Sequence, residues 1–298
     1  LDTRNIVDAH HHLWNLSNGY KYPWLQDRPL GVGLCGNIAP IAHDYMLADL
    51  LTDMRNFRLE KSVHVEAVCS DPIEETRWLQ AMADKSGFPN GIVAHAKLDD
   101  DNIEAQLNDH SEAANMRGIR HILNWHENPR LTFINRNDLL TDAKWRAGFG
   151  LLKKFNLSFD LQIYPSQMKD AANLAAKYPE TLIILNHTGM PVDRDESGIN
   201  RWRSGMAGLA KLSNVVVKIS GLGMVDWKWS EDSIRPYVLQ TIECFGVDRV
   251  MFASNFPVDK LYSSFDALYG AFERITAGFS ETEKDQLFRA NATRFYRL

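Results

Sequence analysis

Eight short apolar or β-branched runs punctuate the 298-residue chain, and each is followed by a segment of helical character. The runs are 5–10, 62–67, 91–97, 118–123, 157–163, 181–187, 215–220 and 249–255. The helical segments are 44–57, 74–86, 101–115, 143–154, 168–177, 200–212, 232–244 and 263–276, with a last helix at 281–290. Strand–helix alternation favours a parallel sheet, because a parallel pair needs a long crossover that a helix supplies. Eight such units in a chain of this length predict an α/β fold, a (β/α)8 barrel. A doubly wound open sheet is the competing architecture. It usually carries a glycine-rich nucleotide loop after the first strand, and a histidine cluster stands there instead.

No fixed-period repeat, low-complexity tract or Pro/Gly/Ser linker divides the chain, so residues 1–298 read as a single domain. Two connections are long: about 13–44 after the first strand, with Trp14, Tyr20, Tyr22 and Trp24, and about 124–141 after the fourth, with Trp125 and His126. Loops that follow barrel strands build the active-site face, so these aromatics either cover a pocket or pack the loops down. The formal net charge is −5 with no basic run, which argues against a nucleic-acid partner. No apolar stretch reaches the length of a membrane span, and no secretory signal is visible at the N-terminus. Cys35, Cys69 and Cys244 form neither a disulfide framework nor a zinc pattern, so a reducing cytoplasm is expected. The expected partner is a small-molecule substrate, and a homo-oligomer is compatible with the chain.

The first run ends in His10-His11-His12. Side chains two apart on a strand share a face, so His10 and His12 converge while His11 points away. Paired imidazoles on a rigid element make the start of a metal site or an acid–base site. The other runs also end in polar residues: His64 and Glu66, His95 and Lys97, Arg120 and His121, Asp160 and Gln162, Asn186 and His187, Lys218 and Ser220, Ser254 and Asn255. Charges inside apolar strands are costly to bury unpaired. Gathered at the C-terminal mouth of a barrel, they point to catalysis, although any one of them has a structural alternative, such as a Glu66–Lys97 salt bridge.

These residues resemble a known family. Asp8-Ala9-His10-His11-His12 resembles the Asp-x-His-x-His first-strand signature of the amidohydrolase-related TIM-barrel proteins. Asn186-His187-Thr188-Gly189, Lys218-Ile219-Ser220-Gly221 and Ala253-Ser254-Asn255-Phe256-Pro257 resemble its later-strand motifs, and Asn291-Ala292-Thr293-Arg294-Phe295-Tyr296 its ending. The nearest branch is the one with sugar lactonases and 2-pyrone-4,6-dicarboxylate lactonase, and decarboxylases belong to the wider family. The resemblance implies that His10, His12 and His187 are site histidines. In metal-dependent members such residues hold a divalent cation, often zinc or manganese, and some lactonase relatives work without metal.

Asn255 departs from the pattern, because the family usually has an aspartate there. An amide has no useful basicity, though its oxygen can coordinate weakly or accept a hydrogen bond. Asp259, Asp160 and Glu66 are the candidate replacement bases, and Asp259 has a structural alternative as a helix cap. The expected reaction is hydrolysis of a small lactone or related cyclic ester. The expected catalytic residues are His10, His12, His187, Asn255 and Asp259. A divalent ion, if held, would sit on His10, His12, Glu66 and His187. Arg120, Asp160, Gln162, Lys97 and Trp14 are the expected substrate contacts, while His11 and His121 are expected to pack. Two other readings stay open: a metal-dependent non-oxidative decarboxylase of an unsaturated or aromatic acid, and a non-catalytic small-molecule binder.

Overall fold

The computed structural model describes residues 4–298. Eight strands alternate with helices, as the periodicity predicts: β1 (Asn5–His11), β2 (Arg58–Val65), β3 (Gly91–His95), β4 (Met116–Arg120), β5 (Ser158–Leu161), β6 (Ile183–Leu185), β7 (Val215–Ile219) and β8 (Val250–Phe252). They are hydrogen-bonded in sequence order, and the seven neighbouring pairs from β1–β2 to β7–β8 are parallel. The ring is drawn together beyond the strand ends. His12 N–H donates to Phe256 O at 2.7 Å, and Asn255 N–H donates to His10 O at 2.7 Å. The fold is a (β/α)8 TIM barrel, not an open sheet.

Runs such as Val215-Val216-Val217 and Ile183-Ile184-Leu185 suit a sheet buried on both faces. Val7, Val63, Val65, Val93, Ile184, Val216 and Met251 form a small core of their own, closed by Ala292 and Tyr296 of the last helix. A larger core of leucines, phenylalanines and tryptophans fills the layer that includes the surrounding helices.

Helix ends follow their capping chemistry more closely than apolar periodicity. The helix expected at 200–212 begins earlier, at Glu196, because Asp195 accepts the Gly198 N–H at 2.7 Å. The segment expected at 44–57 is helical only over Leu47–Asp53, since Tyr45 pairs with Trp14 and residue 58 already starts β2. The last helix extends past 290 to Tyr296 through a π-turn at Gln286–Ala290. Beyond that turn the Asn291 amide donates to Val247 O and Val250 O, both at 2.7 Å, and ties the helix to β8. No described helix is long and apolar enough to cross a membrane, and the three cysteines are free.

Candidate active site

The polar strand ends meet above the barrel core. β1 stops at His11, and an irregular register between Asp8 and His11 precedes the histidines. The Asp8 carboxylate accepts Ser254 N–H at 2.8 Å and Ser254 O–H at 2.6 Å, pinning β1 to the turn after β8. His10 and His12 come within 3.3 Å at their Nε2 atoms, and the His10 and His187 rings are 4.6 Å apart. Asn255 Oδ1 lies 3.2 Å from His12 Nε2. Thus four residues spread over about 245 positions form one cluster. His11 points elsewhere, to Ser62 Oγ at 3.0 Å.

Backbone strain gathers at the same place. Val68, His187 and Asn255 have φ of +60°, +56° and +56°. Non-glycine residues persist in that region when their surroundings over-determine them, often at active sites. Asparagine tolerates the conformation better than most residues, and the β-branched Val68 tolerates it poorly. Gly221 (φ +63°) serves His187 directly. A Cβ there would stand 2.5 Å from His187 Nδ1.

Hydrogen bonds settle the tautomers. His12 Nδ1 lies 2.7 Å from Val65 O, which can only accept, so Nδ1 carries the proton and Nε2 a lone pair. The buried Lys218 ammonium donates to Asp160, to Ala9 O at 3.2 Å and to His10 Nδ1 at 3.3 Å. His10 therefore carries its proton on Nε2 and donates it to His12. Burial holds all three imidazoles neutral. His12 is lowered to about 4 by desolvation and then Arg120. His10 and His187 are also driven well down, first by burial, then by Lys218 and Arg120 respectively.

Arg120 is the central cation. Its Nε donates to Glu66 Oε1 at 2.7 Å, Nη1 to Gln162 Oε1 at 2.8 Å and Nη2 to Glu66 O at 2.6 Å. Glu66 Oε2 accepts Val68 N–H at 2.7 Å, so both its oxygens are engaged. The salt bridge of Glu66 is thus with Arg120 and not with Lys97, which is exposed. Asp160 is paired below with Lys218 and accepts Tyr296 O–H at 2.8 Å. Asp259 sits behind Asn255, where it accepts the Asn255 amide N–H at 2.6 Å and Gly223 N–H at 3.0 Å. Burial raises its pKa to about 7. It does not cap the next helix, a task that falls to Ser264.

A cavity of about 190 Å³ opens on this cluster. His12, Arg120, Gln162, His187 and Asn255 reach it, together with Trp24, Leu34, Cys35, Ala67, Val68, Ile122, Phe133, Met224 and Val258. His10, Glu66, Asp160 and Asp259 are buried outside its wall, Lys97 lies off it, and Trp14 is fully buried with its indole on His43 O at 2.7 Å. His121 packs on Trp145, whose Nε1 donates to its Nδ1 at 3.1 Å. Sequence reasoning missed Leu34, Met224 and Val258. They look like ordinary loop hydrophobics, and only the length of the first loop marked that face.

The amidohydrolase family model matches residues 7–298. This chain belongs to the amidohydrolase family. It is 47% identical over 297 residues to the uncharacterized protein y4mH of Sinorhizobium fredii, covering 98% of each. It is 28% identical over 306 residues to an L-fucono-1,5-lactonase of Burkholderia multivorans, covering 98% of this chain and 96% of the relative. A zinc-bound amidohydrolase structure from the same species superposes with a TM-score of 0.82 at 25% identity, over 99% of this chain and 100% of that one.

The family raises the question of a divalent ion, and the donor set answers it poorly. His10 Nε2 is protonated and its Nδ1 is capped by Lys218. Glu66 is engaged by Arg120, and an amide stands at 255. Arg120 and Lys218 place two cations beside the imidazoles. Among the described residues, no group of three or more His, Cys, Asp or Glu side chains is arranged to hold an ion. These residues do not fit a tightly held metal.

Proposed function

We propose that this family member hydrolyses a small lactone or related cyclic ester through its own side chains. The reading is carried by one observation: a neutral imidazole, His12, lines a largely apolar cavity beside the Arg120 guanidinium. The cavity wall contains no carboxylate among the described residues, so His12 is the general base. Its Nε2 lone pair, which accepts the His10 N–H across 3.3 Å at rest, gives up that contact and takes a proton from water as water attacks the carbonyl carbon. The new imidazolium N–H faces Asn255 Oδ1, which accepts it. Asp259 holds that amide in place by binding its N–H end.

Charge develops on the carbonyl oxygen. Arg120 has five N–H groups and commits three, so two remain for the oxyanion. In this reading Ser220 donates its O–H to His187 Nδ1 across 3.0 Å, which leaves the imidazole proton on Nε2 for the same oxygen. A neutral imidazole can act as such a donor. Collapse of the tetrahedral intermediate breaks the ring C–O bond, and His12 returns its proton to the leaving oxygen. The product is a hydroxy acid. In this reading residues 1–298 act as one domain, and free cysteines suit a reducing cytoplasm.

The test is a lactone panel followed by acid release, with carbon dioxide measured alongside. Acid release without carbon dioxide supports the reading. Carbon dioxide release would favour a decarboxylase, and thermal stabilisation without turnover a binder.

A further inference from the structure

We propose that the substrate is a single-ring cyclic ester bearing a hydrocarbon substituent, not a polyhydroxylated sugar lactone. This rests on the hydrolytic reading above and adds the chemical class of the substrate. The cavity is sharply divided. Its hydrogen-bonding side chains lie at the strand ends, while the wall above them is Trp24, Leu34, Ile122, Phe133, Met224 and Val258. The Trp24 N–H is already committed to Ala67 O at 2.8 Å. A sugar lactone carries hydroxyls around the ring, and each one buried unpaired against this wall would weaken productive binding roughly tenfold or more. The groups suited to hydroxyls are engaged elsewhere. Asp160 is bound to Lys218 and Tyr296, and Tyr164 O–H donates to Leu131 O at 2.6 Å.

The mouth adds exposed apolar side chains, set beside Asn128, Arg130, Asp226 and Lys228 of the adjoining grooves. Among the described residues five large hydrophobics are exposed: Val32, Leu51, Val68, Phe133 and Trp227. All except Leu51 line the cavity or the two grooves beside it, of about 580 and 320 Å³. Scattered exposed hydrophobics are ordinary, but a group around one opening marks a binding surface. The rim is also preformed. Trp227 Nε1 donates to Leu34 O at 3.0 Å and Tyr262 O–H to Cys35 O at 2.9 Å. Gly36 (φ +63°) leaves no room for a Cβ, which would meet the Trp227 ring at 2.9 Å. A cavity of about 150 Å³ holds benzene, so 190 Å³ suits one ring, with a tail leaving over Val68 and Phe133.

The experiment compares kcat/KM for δ-lactones carrying alkyl chains of zero to six carbons with that for unsubstituted and polyhydroxylated aldonolactones. We expect a rise of up to about fourfold per methylene until the wall is covered, and sugar lactones at least 100-fold poorer than the best alkyl lactone. Phe133→Ser and Val68→Ser should each flatten the chain-length slope. Sugar lactones that match or exceed alkyl lactones would overturn this inference and leave the lactonase reading standing. If no lactone is cleaved, the hydrolytic reading fails, and thermal shift with unreactive 4-alkylcyclohexanones still decides the cavity's preference. Stabilisation that grows with chain length supports an apolar ligand class, and a flat response overturns it.

Discussion

The Asn255 amide donates to Asp259 at 2.6 Å, and that bond turns the other end of the amide, Oδ1, toward His12 at 3.2 Å. An asparagine where the family resemblance implies an aspartate thus keeps a carboxylate in play, one residue removed from the cavity. Asp259 does not line the cavity, and in the proposed reaction it is a positioning residue.

The first prediction follows from that bond. Asp259 accepts an N–H on each oxygen, from Asn255 on one and Gly223 on the other, and the carboxylate holds both more strongly than the protonated acid; burial raises its pKa to about 7. Activity should therefore rise with pH through about 7 and level off above it. Asp259→Asn should remove that limb and lower kcat roughly 10- to 100-fold, as misplaced catalytic groups do. A wild-type pH–kcat profile lacking the limb, or a variant retaining it, would count against the assignment.

Metal removal should be silent. Apart from His12 Nε2, the site donors are protonated, capped or engaged by cations. Dialysis against a chelator should leave kcat within twofold, and elemental analysis should find far less than one ion per chain. Activity lost on chelation and restored by zinc or manganese would reverse this view.

Glu66 has a structural duty. Its side chain and that of Arg120 are 0% and 4% exposed, so removing one partner strands a buried charge. Glu66→Gln should cost roughly 3–5 kcal/mol of stability, measured by urea unfolding. A loss below about 1 kcal/mol would show that the pair is solvated after all.

Gly221→Ala tests the seat of His187. The added Cβ meets the ring at 2.5 Å and the backbone is left-handed. Stability should fall by about 1–2 kcal/mol from the backbone alone, and kcat should fall further than stability explains. An active variant with wild-type kcat would show that His187 need not hold its position.

Stability should peak near pH 6.5. Burial lowers His11 and His121 to about 3 and His12 and His110 to about 4, and drives His10, His64 and His187 well below 6.5. The unfolded chain binds these protons first, so acid destabilises as pH falls below 6.5. Asp8, Asp259 and Glu75 are raised to about 6, 7 and 8, so in the folded state they bind protons more tightly than when unfolded. Their contribution is present at low pH and is lost as pH rises through those values. Between 4 and 6.5 the more numerous imidazoles dominate, and above it the carboxyls do. A thermal-melt series with its maximum below pH 5 or above pH 8 would contradict these shifts.

The sequence alone determined the barrel, because strand and helix periods of side-chain burial are local properties that recur eight times. It also placed the polar strand ends on one rim, since all strand C-termini of a barrel face one way, while the resemblance to the amidohydrolase-related family singled out His10, His12, His187 and Asn255 among them. It did not distinguish groups that reach the cavity from those that stop short of it. Glu66, Asp160 and Asp259 carry the same functional group, and their roles differ only through the partners that folding brings: Arg120, Lys218 and Asn255. Tertiary structure alone decided tautomers, charge pairing and the apolar wall. Each depends on distances between residues tens to hundreds of positions apart, which no local pattern encodes.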